Sequence, residues 1–164
     1  MKFLSSHIYQ KTCIAKYEHY EARISFLIPE SKIEHIGASA IDGALSKGDL
    51  DIYVEVKKES IDSAIYLLSQ LDFETKEDTH RSSELCMLEL PGEDVAVQLV
   101  AAGSQYTHFI VFRDLLISNK VLLQSYNDMK KSCIGFSVEE YRSRKGQFIE
   151  CVLSRHNKEQ QGTY

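Results

Sequence analysis

Glu34-His35-Ile36-Gly37-Ala38-Ser39, followed nine residues later by Asp49-Leu50-Asp51-Ile52, is the stretch that decides the fold. The segment from Lys32 to Ile36 is rich in β-branched residues and stops at a glycine, which predicts a short strand that ends in a tight turn. From Asp49 to Val56 polar and apolar residues alternate, as in a half-buried strand. A loop from Ala38 to Gly48 joins the two strands. Asp49 and Asp51 are therefore expected to point to the same face of a sheet.

Two carboxylates spaced in this way suit a hard cation. Side chains two residues apart on one strand lie about 7 Å apart, and Mg²⁺ prefers oxygen ligands. Mg²⁺ that bridges paired acids to a triphosphate is a known use of such a site. Gly37 would let backbone N–H groups approach phosphate oxygens, and Ser39 would add a hydroxyl. Lys47 precedes the acids, either as a phosphate contact or as a solvated loop lysine.

Hydrophobic periodicity and capping residues predict the other elements. We expect helices over residues 12–28, 60–70, 104–118, 120–133 and 137–155, a hairpin formed by 85–90 and 95–100, and an edge strand within 73–77. Ser60, Ser104 and Ser137 are the expected N-caps, and the polar tail from residue 156 to 164 is expected to fray. This order predicts a mixed α+β fold in a single domain, residues 1–164, with a sheet core over about 1–103 and C-terminal helices over 104–155.

Composition excludes several other classes of protein. The 164 residues fit one domain, with 43% hydrophobic and 26% charged side chains. A net charge of −5 argues against a dedicated nucleic-acid-binding surface. No run approaches the roughly 18 apolar residues of a membrane span, and no signal-peptide core begins the chain, so a cytoplasmic protein without a membrane partner is expected. The four cysteines lack zinc-binding spacing and are interpreted as reduced thiols.

The turn, loop and paired acids together resemble the signature of the nucleotidyltransferase superfamily, and the chain resembles the GrpB family within it. The resemblance spans about residues 33–153. The residues that carry it are the stretch from Glu34 to Gly43, Lys47, Phe112-Arg113-Asp114-Leu115-Leu116, Tyr126 with Lys130, and Tyr141 with Lys145 and Phe148. One departure is Ala38, where GrpB-like proteins usually have a serine, so that Ser39 would be the single hydroxyl of the turn. Another is Asp49, which restores the acidic pair of the wider superfamily.

This resemblance implies a Mg²⁺-dependent transfer of a nucleotidyl group from a nucleoside triphosphate to an unidentified acceptor. Asp49 and Asp51 would bind the metal and act in catalysis. Polymerase-like transferases add a third acid from a neighbouring strand, and the candidates are Asp94 and Gln98. Since a neutral amide is a poor Mg²⁺ ligand beside carboxylates, either Asp94 completes the site or a general base is missing.

Three basic residues of the C-terminal helices are further candidates for binding phosphates. Lys130 and Lys145 each follow a tyrosine by four residues, so each pair shares a helix face. The alternative is a lysine that lies over a packed tyrosine. Arg113 would contact a triphosphate, or form a structural ion pair. Ala38 and the uncertain third acid also leave open a degraded nucleotide- or metabolite-binding protein of the same fold.

Overall fold

The computed structural model describes residues 2–162. In this range the helices are α1 (Ser6–Leu27), α2 (Ile61–Ser69), α3 (His108–Ser118), α4 (Lys120–Ser132) and α5 (Val138–Gln161). The strands are β1 (Lys32–Ile36), β2 (Leu50–Val56), β3 (Glu74–Thr75), β4 (Leu85–Glu89) and β5 (Val95–Ala101). The predicted mixed α+β fold, with a mixed sheet covered by helices and a C-terminal helical segment, is confirmed.

The strands form one five-stranded sheet in the order β1-β2-β5-β4-β3. Only β2 and β5 run parallel, and the other neighbouring pairs are antiparallel. Asp51 lies opposite Ile36 of β1 on one side and Ala96 of β5 on the other. The strand that carries Asp51 is therefore paired along both edges, which gives that aspartate a rigid base.

Alternation along β2 sends its side chains to two different layers. Leu50, Ile52 and Val54 are fully buried in the main core, which also contains Ile24 of α1 and Leu68 of α2. The opposite face of the sheet carries a smaller core, which includes Tyr53 and packs against Phe109 of α3. Helices α3, α4 and α5 contact one another beyond this face. Asp51 shares the face of Tyr53, so the acid points toward the C-terminal helices.

Two helices are longer than their patterns predict. Helix α1 begins at Ser6 rather than Thr12, because its first turns are fixed by Tyr9, whose buried hydroxyl donates to the Ala44 carbonyl at 2.6 Å. Helix α5 continues to Gln161, so the prediction of a frayed tail is wrong as far as that residue. Its last turns consist largely of good helix formers without a proline. Residues 163 and 164 lie outside the described range.

The capping predictions are partly confirmed. Ser137 forms the predicted capping box with Glu140. Ser60 stands at the N-cap position of α2 but makes no side-chain cap, because it ends a 3₁₀ turn and has a helical rather than an extended backbone. Ser104 makes none either, because a 3₁₀ turn separates it from the start of α3 at His108. The Ser104 hydroxyl is buried without a hydrogen-bond partner among the described residues. The remaining strands and the hairpin lie where predicted, although β2 begins at Leu50 and leaves Asp49 just outside it.

Two further observations concern the cysteines and the hydropathy of the helices. All four thiols are free, and Cys151 is the exposed one. In the part of the chain from residue 2 to 162, no helix combines the length and apolar character needed to cross a membrane.

Candidate functional site

A cleft of about 350 Å³ lies between the sheet and the C-terminal helices. Its sheet side is lined by Asp51 of β2 together with Ala96 and Gln98 of β5. Helix α3 supplies an aromatic wall that includes Phe109 and Phe112. The turn after β1, the loop before β2 and helix α5 complete the lining. The cleft thus collects residues that lie far apart in the sequence.

Asp49 and Asp51 both line this cleft, as the strand pattern predicts. Gln98 donates from Nε2 to Oδ1 of Asp51 at 3.1 Å. The Ser46 hydroxyl donates to Oδ1 of Asp49 at 3.1 Å. One oxygen of each carboxylate is therefore oriented by a neutral donor. Among residues 2–162 neither carboxylate forms an ion pair.

Gly37 is packed directly against Asp51. Its φ of +73° and ψ of −175° lie in a region that is essentially restricted to glycine. A Cβ atom at this position would lie 2.5 Å from Oδ2 of Asp51 and 3.1 Å from its Cβ. The glycine therefore provides the space that the carboxylate occupies, a role that its sequence motif did not reveal.

The surroundings of Asp51 perturb its carboxyl group. Burial raises the pKa of Asp51, and the neighbouring charge of Asp49 raises it further. Lys145, the Gln98 amide and Lys47 oppose this rise in the Asp51 pKa. A cation beside the pair would relieve the repulsion between the like charges.

The surroundings of Lys145 raise its pKa and so favour its charged form. Tyr126 contributes most to the rise in its pKa, followed by Tyr141 and the two aspartates, and together they outweigh desolvation. Lys145 therefore stays protonated at neutral pH and lines the cleft. Lys47 also lines the cleft, with Nζ 5.8 Å from the centre of the Tyr141 ring. The structure thus places two of the three predicted lysines, Lys47 and Lys145, in the cleft that holds the acidic pair.

The loop before β2 is held by helix α4. Asn127 accepts from the Leu45 backbone N–H at 2.8 Å and donates to the Gly43 carbonyl at 2.8 Å. Both partners are backbone groups, so the side chain acts as a two-sided clamp. Nothing in the local sequence signals this role of Asn127, because its partners lie more than 80 residues away.

Lys130 belongs to the same clamp and does not line the cleft. Its side chain is 2% exposed, its Nζ donates to the Leu45 carbonyl, and it lies 4.1 Å from the centre of the Tyr126 ring. Burial lowers the pKa of Lys130 to about 7, and the nearby charge of Lys145 adds to this effect. Its predicted phosphate contact is not formed by this geometry, since the amine is directed to the backbone.

Ser39 and Asp94 are also placed away from the cleft. The Ser39 side chain is fully buried, and its hydroxyl lies 2.9 Å from Nε2 of His35. At this turn the cleft is lined by Ala38 and not by Ser39. Asp94 is exposed at the end of the β4–β5 turn, where its carbonyl accepts from the Leu50 N–H at 2.8 Å. Gln98 is therefore the candidate on β5 that reaches Asp51.

Arg113 lines the cleft, but its donors are largely engaged. Its NH1 group donates to Glu34 at 2.6 Å and to the His35 carbonyl at 2.9 Å, while Nε donates to Asp114 at 2.8 Å. The side chain is 14% exposed. The structural ion pair, which was one of two alternatives for Arg113, is the arrangement observed.

Lys76, Arg142 and His108 also line the cleft, and sequence patterns did not single them out. Lys76 pairs with Glu89 at 2.7 Å, and Arg142 lies 3.6 Å from Asp78. Together with Lys47, Arg113 and Lys145, these residues give a lining with five Lys or Arg side chains and two carboxylates. Lys76, Arg113 and Arg142 are each paired with an acid. Within the described residues Lys47 and Lys145 form no such ion pair, so their charges are the ones left to meet an anionic ligand.

The two carboxylates suit a divalent cation that is also bound by the phosphate oxygens of a ligand in the cleft. From residue 2 to 162, no three Asp, Glu, His or Cys side chains converge closely enough to hold a metal ion by themselves. Two carboxylates supply oxygen atoms of the type that Mg²⁺ requires, and phosphate oxygens and water would have to supply the rest. The protein residues that would hold the ion are Asp49 and Asp51.

Comparisons with known proteins agree with this architecture. A family model described as "GrpB protein" matches residues 7–155. A UPF0157 protein of Vibrio cholerae is 51% identical over 156 residues, which cover 94% of this chain and 83% of that protein. A UPF0157 protein of Deinococcus radiodurans is 24% identical over 144 residues, which cover 86% of this chain and 76% of that protein.

Solved structures with the same fold include a conserved GrpB protein from Enterococcus faecalis and the Cid1 poly(U) polymerase. The first has a TM-score of 0.72 at 17% identity and covers 93% of this chain and 99% of its own. A Cid1 structure with MgGTP bound has a TM-score of 0.57 at 17% identity and covers 77% of this chain but only 42% of its own. At these identities the likeness shows a shared nucleotidyltransferase-like fold.

Proposed function

Since this chain belongs to the GrpB family, we propose that its cleft binds a nucleoside triphosphate with Mg²⁺ and transfers the nucleotidyl group to an acceptor. The observation that carries the proposal is the pair Asp49 and Asp51, which lines a cleft together with Lys47 and Lys145. Carboxylates alone would repel a triphosphate, whereas carboxylates beside lysines suit a cation–phosphate complex.

The residues have distinct roles in this proposal. Asp49 and Asp51 hold the ion, which supplies charge stabilisation at the phosphates. Lys47 and Lys145 bind phosphate oxygens as fixed cations, and Lys145 keeps its proton because its pKa is raised. Phe109 and Phe112 offer an apolar wall for the base or the acceptor. Fold precedent comes from Cid1, which has been solved with MgGTP and with Mg 3′-dATP bound.

The reaction would be a direct displacement. An oxygen of the acceptor forms a bond to the α-phosphorus, the bond from that phosphorus to the bridging oxygen breaks, and pyrophosphate leaves. A proton from an acceptor hydroxyl passes to solvent, because no base is assigned among the cleft residues. Positioning and electrostatic stabilisation then supply most of the rate enhancement.

Calorimetric titration of the four nucleoside triphosphates with Mg²⁺ tests the binding step. We expect Asp49→Asn/Asp51→Asn to weaken binding at least tenfold, and Lys47→Met/Lys145→Met to weaken it to a similar degree. The matched control is Asp62→Asn, which changes an acid in the first turn of α2 and should bind as the wild type does. Equal affinities in all four proteins would remove the proposed site.

A second candidate is a nucleotide- or metabolite-binding protein that lacks transfer activity. The observation in its favour is Gln98, a neutral amide on β5 beside Asp51, where a transferase would use a third acid. Pyrophosphate release measured across a panel of hydroxyl and phosphate acceptors separates the two candidates. Tight Mg²⁺–nucleotide binding without pyrophosphate release from any acceptor would favour the binding protein.

A further inference from the structure

Gln98 combines burial with an incomplete set of hydrogen bonds. The residue is 9% exposed and lines the cleft on the same face of the sheet as Asp51. Its Nε2 donates to Asp51, but its Oε1 is buried and has no hydrogen-bond partner among the residues that the structure describes. A buried acceptor without a donor costs about 1–3 kcal/mol, so its retention calls for an explanation.

The charges around Asp51 limit how many cations the cleft can hold. Two-metal sites place ions about 3.5–4 Å apart and need oxygen ligands for each of them. Here the cleft lining contains two carboxylates, and Asp94 is exposed outside it. Lys47 and Lys145 already act on Asp51 as positive charges. A second divalent ion would therefore meet repulsion from the lysines and would lack an anionic protein ligand of its own.

Gln98 occupies the place from which such a ligand would come. It lies on the strand parallel to β2, and its amide reaches the carboxylate of Asp51 at 3.1 Å. In this orientation Nε2 of the amide donates to the carboxylate. It thus fixes one oxygen of Asp51 without adding negative charge.

We infer that the cleft holds a single divalent cation, bound by Asp49 and Asp51, and that Gln98 sets this limit by donating to Asp51 where a third carboxylate would bind a second ion. A donor of the bound ligand, such as a cation-bound water, satisfies Oε1 of Gln98. This inference rests on the proposed function, because it concerns the same cation–phosphate site. Gln98 is a positioning residue in this scheme.

Equilibrium dialysis of Mn²⁺ with inorganic triphosphate counts the ions without a choice of base or acceptor. We expect the wild type to bind one Mn²⁺ and one triphosphate per chain. Gln98→Glu keeps the shape of the side chain and adds a carboxylate, so it is expected to bind two Mn²⁺ per chain. Gln105→Glu makes the same chemical change at an exposed site outside the cleft lining and should bind one.

The outcomes separate this inference from the proposed function. Two Mn²⁺ ions in the wild type, or one in a folded Gln98→Glu variant, would overturn the inference. Failure of the wild type to bind Mn²⁺ with triphosphate would overturn the proposed function itself. If Gln98→Glu does not fold, as judged by circular dichroism, Gln98→Asp provides the second test. This variant also removes the amide donor and adds a carboxylate at the same place on β5, so two Mn²⁺ ions support the inference, whereas one contradicts it.

Discussion

Replacement of Gly37 by alanine should damage both the fold and the cation site, because one added carbon meets two obstacles. The backbone at Gly37 has φ +73° and ψ −175°, a conformation that costs a residue with a side chain about 1–3 kcal/mol. The added Cβ would also lie 2.5 Å from Oδ2 and 3.1 Å from Cβ of Asp51. Since the second of these atoms is near the backbone, the whole aspartate side chain must move.

The magnitude follows from these two terms. Moving Asp51 strains or breaks its hydrogen bond from Gln98, which adds about 1 kcal/mol to the backbone cost. We therefore expect the free energy of unfolding to fall by about 2–4 kcal/mol. For a chain of this length this corresponds to a decrease in Tm of about 5–15 °C. Affinity for Mn²⁺ with triphosphate should fall at least tenfold, since Asp51 leaves its position.

Urea denaturation and Mn²⁺ dialysis measure the two effects on the same protein. The matched control is Gly92→Ala, because Gly92 also has a positive φ, +80°, but an added Cβ there meets nothing within 4 Å. The control isolates the backbone cost and should leave Mn²⁺ binding unchanged. The reasoning is refuted if the two variants lose the same stability and Gly37→Ala binds Mn²⁺ as tightly as the wild type.

Three further predictions concern residues around the site. Burial, with a smaller contribution from Arg113, lowers the pKa of His35 from 6.5 to about 4. The neutral ring therefore contributes fully to the free energy of unfolding above pH 6.5, and this contribution is lost as the pH falls toward 4. Urea denaturation from pH 7 to 4 should therefore show a steeper loss of stability in wild type than in His35→Gln, and parallel curves would contradict this. Burial lowers the pKa of Lys130 from 10.5 to about 7; Lys145 and Lys47 also lower it, while Asp49 and Asp51 raise it. The charged amine therefore destabilises the folded state fully below pH 7 and progressively less as the pH rises to 10.5. Relative to Lys130→Met, wild type should gain stability between pH 7 and 9.5 in the same assay, and a constant difference would count against the shifted pKa. Ser137→Ala removes the capping box of α5 and should cost about 1 kcal/mol in urea denaturation, whereas Ser132→Ala, at the end of α4, should cost less.

Local patterns predict most of the secondary structure, because each depends on neighbours within a few residues. The predicted bounds of β1 match the structure, and the alternation in β2 correctly gives Asp51 the face opposite Ile52. Ser137 was identified as a cap because its partner, Glu140, is three residues away. The same reasoning predicted Ser104 as the cap of α3, and that prediction is wrong because a 3₁₀ turn separates Ser104 from the first residue of the helix, His108.

The sequence by itself determined that two aspartates at the start of one strand point the same way after a glycine turn, since both facts follow from the period of two and from the freedom of glycine. Only the tertiary structure decided what surrounds them. It turned the Ser39 hydroxyl toward His35, directed Lys130 to the Leu45 carbonyl and brought Gln98 to Asp51. The Lys130 and Gln98 contacts join residues 85 and 47 positions apart, and no local pattern encodes them, because they depend on how helices and strands pack rather than on any one segment.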